Sequence, residues 1–279
     1  MQTTPTHADE SPATPDARPP AARLGVLVYG LVSYLLFFGT FLYMIGFVAG
    51  VLVPKDINDG TPGPLWLALL VDASLVGLFC LQHEVMARPR FKAWLTRYIP
   101  GAIERSTFVV LASLILLLMF WQWRPLPGVL WDLTGPGAWA VYAVAALGWG
   151  TVLLSTFLIN HFDLFGLRQT VCYAMNREHT PLRFTMRLLY RVCRHPLMLG
   201  FLIAFWATPL MTMSHLWFAS LMTGMIFVGL RFEERDLIRE HGEDYLAYRR
   251  KVRGVVPLPR RLRPEPAPAA VATPAPTRH

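Results

Sequence analysis

The sequence predicts an all-α integral membrane protein with about six transmembrane helices, and three observations support this. Of its 279 residues, 54% are apolar and only 16% are charged, whereas soluble domains usually carry about 25% charged residues. The apolar residues fall in blocks of about 17–25, the length that crosses the hydrocarbon core of a bilayer. The basic residues collect in alternate loops between these blocks, which is typical of a multi-pass protein.

Each predicted span is a continuous apolar stretch with few polar side chains. In chain order the spans are Leu24–Val53, Pro64–Met86, Ser106–Trp123, Gly137–Leu158, Pro196–Met211 and His215–Leu230. Because only Thr212, Met213 and Ser214 separate the last two spans, we expect these to form a tight antiparallel hairpin. Asp72 lies inside the second span, where an unpaired charge is costly. We expect it to satisfy a polar group on a neighbouring helix.

The distribution of Lys and Arg orients the spans. The loops Pro54–Gly63 and Arg124–Pro136 carry one basic residue each, whereas Ala87–Arg105, Ile159–His195 and the chain after Leu230 carry five, six and eleven. Basic loops lie preferentially on the cytoplasmic side. We therefore expect a bacterial-type inner-membrane protein with both termini in the cytoplasm. This topology accounts for the net charge of +8, so no nucleic-acid partner is expected.

The two ends of the chain differ in composition from the apolar middle. Residues 1–22 are rich in Pro, Ala, Thr and acidic side chains, and residues 261–279 are rich in Pro and Ala. Such segments cannot bury enough apolar surface to offset the entropy of ordering. We expect two disordered tails around one transmembrane domain, residues 23–260. Residues 1–22 also lack the basic and short apolar regions of a signal peptide.

Four polar clusters lie at the predicted cytoplasmic ends of the spans, and ionisable groups at such positions are candidates for function. They are Gln82-His83-Glu84, Asn160-His161-Phe162-Asp163, Arg194-His195-Pro196 and Glu233-Glu234. Their common depth predicts one pocket that opens to the cytosol. Plainer roles remain open for each cluster. A histidine at a helix end is often a capping residue, and the two glutamates have arginine neighbours at helical spacing.

Two common kinds of site are not indicated. His83, His161 and His195 come from different helices without the spacing of a zinc motif, so no metal is expected. Neither a Gly-x-Gly-x-x-Gly nor a Walker sequence is present, and no strands are predicted from which to build a Rossmann domain. Any nucleotide-like cofactor would therefore bind between helices.

The C-terminal third resembles the membrane methyltransferases, a group that includes the isoprenylcysteine carboxyl and phospholipid methyltransferases. The resemblance rests on Arg194-His195-Pro196 with Gly200, then the hairpin, then Glu233-Glu234-x-x-Leu237, then Gly242-x-x-Tyr245. Met198 stands where many members have Tyr. The resemblance implies that S-adenosylmethionine binds here, enclosed by a cytoplasmic C-terminal segment. It implies contacts from Arg194, His195, Pro196, Gly200, Glu233, Glu234 and Tyr245.

The upstream half narrows the resemblance to the methanethiol S-methyltransferases of the NnrU-like branch. The matching stretches are Gln82–Arg88, Glu104–Thr107, Phe120–Pro127 and Leu158–Gln169, although Ser is expected where Glu84 stands. The implied activity is S-adenosylmethionine-dependent methylation of methanethiol to dimethyl sulfide. A methyltransferase for isoprenylcysteine or phospholipid, and a non-enzymatic NnrU-like membrane protein, are the alternatives.

This activity assigns roles to the remaining polar residues. A thiol is mostly protonated at neutral pH, so His83 or His161 is a candidate base, with Asp163 and Asn160 as further catalytic candidates. We expect substrate contacts from Gln82, Gln169 and Arg249. Because methanethiol has only two heavy atoms, we also expect a small pocket that selects its substrate by excluding larger thiols.

Overall fold

The computed structural model describes residues 18–61, 63–180 and 188–255. Within these ranges the chain is almost entirely helical. The elements are α1 Pro20–Ala49, α2 Leu65–Ala87, α3 Pro89–Leu95, α4 Gly101–Gln122, β1 Val129–Asp132, α5 Gly135–Ile159, α6 His161–Leu164, α7 Leu167–Ala174, a 3₁₀ turn Leu188–Arg191, α8 Pro196–Trp206, β2 Leu210–Thr212 and α9 Met213–Lys251.

Five of these helices, α1, α2, α4, α5 and α9, are long and apolar enough to cross a membrane. Large apolar side chains are exposed along them, for example Leu35 at 57% and Leu81 at 61%. In water such a surface would be unfavourable, whereas lipid solvates it. The protein is therefore a multi-pass membrane protein.

Two predicted spans differ from the observed elements. The predicted span Pro196–Met211 is an 11-residue helix, α8, followed by β2, and a helix of that length covers only about 16 Å. The last helix does not end at Leu230 but runs for 39 residues, with a kink at Gly242 (φ 53°, ψ −127°). The backbone conformation at Gly242 is one that a residue with a Cβ rarely adopts.

The limits of the predicted tails also change. Residues 20–22, assigned to a disordered tail, form the first turn of α1. Proline favours this position because its missing N–H would have no partner in the first turn of a helix. The rest of the predicted tails, residues 1–17 and 261–279, lies outside the described residues.

A two-stranded antiparallel sheet joins the loop after α4 to the segment before α9, and it was not predicted. Val129 pairs with Thr212 and Asp132 with Leu210, and the Trp131 indole N–H donates to the carbonyl of Thr208 at 3.1 Å. We call this part of the bundle the sheet end. We call the opposite part, where α2 and α5 end and α8 begins, the cavity end.

Glycines bring α5 and α8 into close contact. A Cβ on Gly148 would lie 2.7 Å from the backbone nitrogen of Ala204, and one on Gly200 would lie 2.8 Å from that of Val152. Small residues at helix contacts are typical of membrane proteins, since they allow backbones to approach closely. Gly200 therefore serves helix packing, and α5 holds the start of α8 at the cavity end.

Candidate active site

A cavity of about 860 Å³ opens between the helices of the bundle. Side chains from α1, α2, α4, α5, α8 and α9 line it, together with residues of α6 and the 3₁₀ turn. Of the predicted site residues, those that line the cavity are His83, His161, Asp163, Arg194, His195, Glu233 and Tyr245. All four polar clusters thus contribute to one space: three of them contribute two residues each, and the fourth contributes Glu233.

Seven other predicted site residues do not line this cavity: Asn160, Pro196, Gly200, Glu234, Gln82, Gln169 and Arg249. Asn160 caps α6 by accepting from the Asp163 backbone nitrogen at 3.2 Å. The Gln82 amide donates to the carbonyl of Phe108 at 3.4 Å, and the Gln169 amide donates to that of Asp163 at 3.0 Å. These three side chains position backbone around the cavity.

His83 faces the cavity from the last turns of α2. Its ring packs against Phe79 and Phe108, with centroids 5.6 and 5.1 Å away. Its Nδ1 is buried and has no hydrogen-bond partner among the described residues. A buried ring nitrogen without a partner is unusual, and here it lies beside a cavity in which a ligand can supply one.

Arg105 reaches the same part of the cavity from the first turns of α4. Its Nε donates to the carbonyl of Leu164 at 2.7 Å, and its guanidinium lies 4.7 Å above the Phe108 ring. A histidine and a cation therefore flank one aromatic ring at the cavity wall. Arg105 was not among the site residues predicted from the sequence, although it is an ionisable group at the edge of a span, as the four clusters are.

His161 is held by two hydrogen bonds. The Thr156 hydroxyl donates to the carbonyl of Leu153 at 2.7 Å, so it accepts from His161 Nδ1 at 2.8 Å. The remaining nitrogen, Nε2, then accepts from the Tyr34 hydroxyl at 2.9 Å. Burial lowers the pKa of His161 below its ordinary value. Both ring nitrogens are therefore occupied by hydrogen bonds within the protein.

Asp163 is paired rather than free. Its Oδ1 accepts from His179 Nε2 at 2.6 Å and from Arg168 at 3.1 Å. The turn that carries it packs tightly on α4, since a Cβ on Gly166 (φ 87°) would lie 2.7 Å from the Ser106 nitrogen. Asp163 thus organises the wall formed by α6, and His179 joins it at the cavity surface.

Arg194 and Glu234 form a buried ion pair, with side chains 9% and 19% exposed. Arg194 Nε donates to Glu234 Oε1 at 3.0 Å, and its NH1 donates to the carbonyl of Val252 at 2.6 Å. The guanidinium therefore ties the start of α8 to the end of α9. Because these hydrogen bonds occupy the guanidinium, Arg194 is less available to bind the carboxylate of a ligand than was expected from the sequence.

His195 lies between the two glutamates of α9. Its Nε2 is 3.2 Å from Glu234 Oε1, and its Nδ1 is 3.5 Å from Glu233 Oε2. Burial lowers the pKa of His195, but hydrogen bonds and charge from Glu233 and Glu234 outweigh this and raise the pKa above its ordinary value. Glu233 itself is 47% exposed on the cavity side, so its carboxylate is accessible to a ligand.

The end of α9 beyond the kink covers this part of the cavity. Tyr245 and Tyr248 are buried, at 2% and 5% exposure, and both line the cavity. The Tyr248 hydroxyl donates to the carbonyl of Tyr190 at 2.5 Å, and burial raises the pKa of Tyr190. Tyr190 was not singled out from the sequence, because Tyr near a membrane surface is common.

A second charged group links α2 to α9 at the cavity rim. Arg88 contacts Glu84 on its own helix and Asp236 on α9, both at 2.6 Å. Glu84 thus has a structural partner. Within residues 18–61, 63–180 and 188–255, no group of three or more His, Cys, Asp or Glu side chains is arranged to hold a metal ion.

The internal cavity gathers histidine, carboxylate and guanidinium groups at one end. Together with the fold, this site defines the class: a multi-pass membrane protein with a buried polar site. Comparison with known proteins defines the class further. The chain is 51% identical over 240 residues to methanethiol S-methyltransferase of Mycobacterium tuberculosis, covering 86% of this chain and 98% of the relative. It is 52% identical over 236 residues to methanethiol S-methyltransferase 2 of Bradyrhizobium diazoefficiens, covering 85% and 91%.

The chain therefore belongs to the methanethiol S-methyltransferase family. Human nurim is a more distant relative, 27% identical over 242 residues, covering 78% of this chain and 91% of nurim. No protein-family model matches the sequence. No solved structure matches it.

Proposed function

We propose that the protein transfers a methyl group from S-adenosylmethionine to methanethiol and so produces dimethyl sulfide. The observation that carries the proposal is identity of about one half, over more than four fifths of the chain, to proteins named methanethiol S-methyltransferase. The cavity that gathers His83, Arg105, His195 and Glu233 supports it. The alternatives, a methyltransferase for prenylcysteine or phospholipid and a non-enzymatic protein, have no comparable support.

The polar end of the cavity fits S-adenosylmethionine. Glu233 presents an accessible carboxylate, which suits an ammonium group or ribose hydroxyls. Tyr245 and His195 offer aromatic surface beside it. Glu234 lies behind them and holds Arg194 and His195 in place. When bound, S-adenosylmethionine supplies a methyl group already activated for displacement.

The residues of the chain then have three tasks. They align the thiol, exclude water and accept its proton. His83 is the proposed base, since its Nδ1 has no partner among the described residues. Arg105 stabilises the thiolate as a neighbouring cation. His161 keeps the wall in place through Tyr34 and Thr156, which makes it a positioning residue.

The direct test uses the full chain, purified in detergent and supplied with S-adenosylmethionine and methanethiol. We expect dimethyl sulfide in the headspace, detected by gas chromatography, with a rate that rises with pH as thiolate forms. A prenylated cysteine offered in parallel separates the substrate classes. Product from the prenylcysteine alone would overturn the thiol assignment and keep the methyltransferase assignment.

We further propose that the cavity end faces the cytoplasm and that segment 196–212 completes six crossings of the inner membrane. The 11 residues of α8 and the six that follow together extend about 36 Å. This segment begins beside Glu234 and ends in the sheet. Reporter fusions test the orientation: those after Asp59, Trp131 and Met213 are expected outside, and those after Arg97, Glu178 and Pro264 in the cytoplasm.

A further inference from the structure

The cavity extends well beyond the polar residues that are proposed to bind methanethiol and the cofactor. A small substrate pocket was expected near Gln82-His83 and Asn160–Asp163, and the cavity lined by His83, His161 and Asp163, of about 860 Å³, also contains the proposed cofactor site. Its walls are also divided. The charged and titratable residues lie at the cavity end, and the space continues past them into the bundle between apolar side chains.

The depth of this apolar part can be read along two antiparallel helices, α4 and α9. On α4 the lining stripe runs from Arg105 to Leu116, and on α9 it runs from Glu233 back to Met222. Each stripe spans 12 residues, and the 11 steps between its ends correspond to about 16 Å of helix. The lining residues recur every three or four positions, which places them on one face of each helix. We call the part beyond Phe108 the deep chamber.

The walls of the deep chamber are almost entirely hydrocarbon. They include Phe41, Met44, Ala112, Phe201 and Met222. Thr40 and Ser113 are polar residues in this wall, and the Thr40 hydroxyl donates to the carbonyl of Leu36 at 2.8 Å. A charged or strongly polar ligand group would lose its hydration there without gaining partners. The deep chamber therefore suits a hydrocarbon and not the charged parts of S-adenosylmethionine.

The reacting groups lie at the mouth of the deep chamber. His83 packs between Phe79 and Phe108, and both of these aromatic rings line the cavity. A thiol whose sulfur reaches His83 and Arg105 has one apolar direction in which to extend its carbon chain, further into the bundle. With methanethiol as substrate, most of this space has no hydrocarbon from the substrate to fill it.

We propose that the deep chamber binds the hydrocarbon of longer primary alkanethiols, and that the enzyme methylates these thiols better than methanethiol. The inference rests on the proposed function and widens its substrate class. The thiol loses its S–H proton, first to His83 and then to solvent. Its sulfur forms a new bond to the methyl carbon. The sulfonium sulfur of S-adenosylmethionine keeps the electron pair of the broken bond, so the products are an alkyl methyl thioether and S-adenosylhomocysteine.

The expected dependence on chain length follows from burial of methylenes. Each buried methylene is worth about 0.8 kcal/mol, or about fourfold in kcat/KM. We expect kcat/KM to rise from methanethiol through propanethiol to hexanethiol. Wild-type protein that methylates methanethiol and rejects hexanethiol would overturn the inference while keeping the proposed function.

A rise of kcat/KM with chain length could also come from partitioning of longer thiols into detergent. A matched pair of variants distinguishes this effect from binding in the deep chamber. Ala112→Phe fills the deep chamber from α4. Leu114→Phe adds a similar ring on the same helix at an outward position, where Leu114 is 49% exposed. The measured quantity is the ratio of kcat/KM for hexanethiol to that for methanethiol, in one detergent, so that partitioning cancels between variants.

We expect Ala112→Phe to lower this ratio by about tenfold or more, and Leu114→Phe to leave it unchanged. If a bilayer acyl chain occupies the chamber instead, Ala112→Phe will leave the ratio unchanged, which would contradict the inference. Absence of turnover with every thiol would contradict the proposed function and this inference with it. Methanethiol turnover by Ala112→Phe shows that the variant is folded.

Discussion

At the sheet end of the bundle, three polar side chains are bonded to backbone, whereas several at the cavity end face a cavity. At the sheet end, Asp72 accepts from the Arg124 backbone nitrogen at 3.0 Å, and Ser214 accepts from that of Leu126 at 2.6 Å. Lys55 donates to the carbonyls of Trp121 and Trp123. At the cavity end, His83 Nδ1 has no partner among the described residues, and Glu233 is accessible.

The difference separates two uses of the same residue types. Polar groups in lipid need partners within the protein, and Asp72, Ser214 and Lys55 find them in backbone where loops leave the helices. Asp72 Oδ2 and the Trp123 indole nitrogen are buried there without a partner among the described residues. The cavity end keeps groups available for a ligand, and a second layer made of Arg194, Glu234, Thr156 and Tyr34 holds them in position. Four substitutions test whether the distinction is real.

The largest effect is expected from Glu234→Ala. It leaves Arg194 buried without its counter-charge, which costs about 3–5 kcal/mol for a buried pair. We expect a strongly lowered melting temperature of the protein in detergent, with loss of cofactor affinity. The matched control is Glu243→Ala on the same helix. Its pair with Arg250 spans 3.9 Å and is largely exposed, so a change of less than about 1 kcal/mol is expected. Equal melting temperatures for the two variants would contradict the expected contribution of the Arg194–Glu234 pair to stability.

His83→Ala is expected to lower kcat by about 10²-fold without a comparable loss of stability. General base catalysis contributes at least this much, and the ring makes no protein hydrogen bond through Nδ1. Activity should recover partly at high pH, where thiolate forms unaided. His161→Ala and Asp163→Asn, measured across the same pH range, should lower activity without such recovery, because these residues hold the wall. If activity recovers at high pH in His161→Ala alone, His161 and not His83 is the base.

Sequence reasoning could find the cavity end because polar residues in an apolar sequence stand out. His83, His161, His195 and Glu233 were all selected in this way. It could not separate residues that face the cavity from their neighbours one position away, as with Gln82 and Glu234. Which side chains face the cavity depends on how each helix is rotated about its axis. That rotation is set by helix contacts such as Gly148 against Gly200, and these two residues lie far apart in the chain.

The sheet end was much less predictable. The strands β1 and β2 contain four and three residues, too short for alternation to be visible. The half-length of α8 was also missed, because the apolar sequence continues from Trp206 through Met211. Asp72, an ionisable residue inside a span, did give a signal there. Its partner was expected on a neighbouring helix, and it is instead the Arg124 backbone N–H in the loop after α4.

Asp72→Ala is expected to destabilise the sheet end and leave the site intact. The substitution removes the acceptor for a backbone N–H, and loss of a buried hydrogen bond costs about 1–3 kcal/mol. Melting temperature should fall, while KM for the thiol stays unchanged in the folded fraction. Asp72→Asn is the control, since its amide oxygen can still accept from Arg124. A changed KM in Asp72→Ala would mean that the two ends are coupled.

The smallest effect concerns His195 and is a dependence of stability on pH. Its folded-state pKa is raised by Glu233 and Glu234 despite burial, so the native protein holds this proton more tightly than the unfolded chain does. The stabilisation is therefore complete below the ordinary histidine pKa of about 6.5 and is lost as pH rises through the folded-state value. Melting temperatures measured from pH 6 upward should fall more steeply in the wild type than in His195→Gln. Glu233→Gln removes one of the two carboxylates and should flatten the curve in part. Parallel curves for wild type and His195→Gln would show that the carboxylates stabilise His195 equally in both protonation states, which is inconsistent with ion pairing at this position.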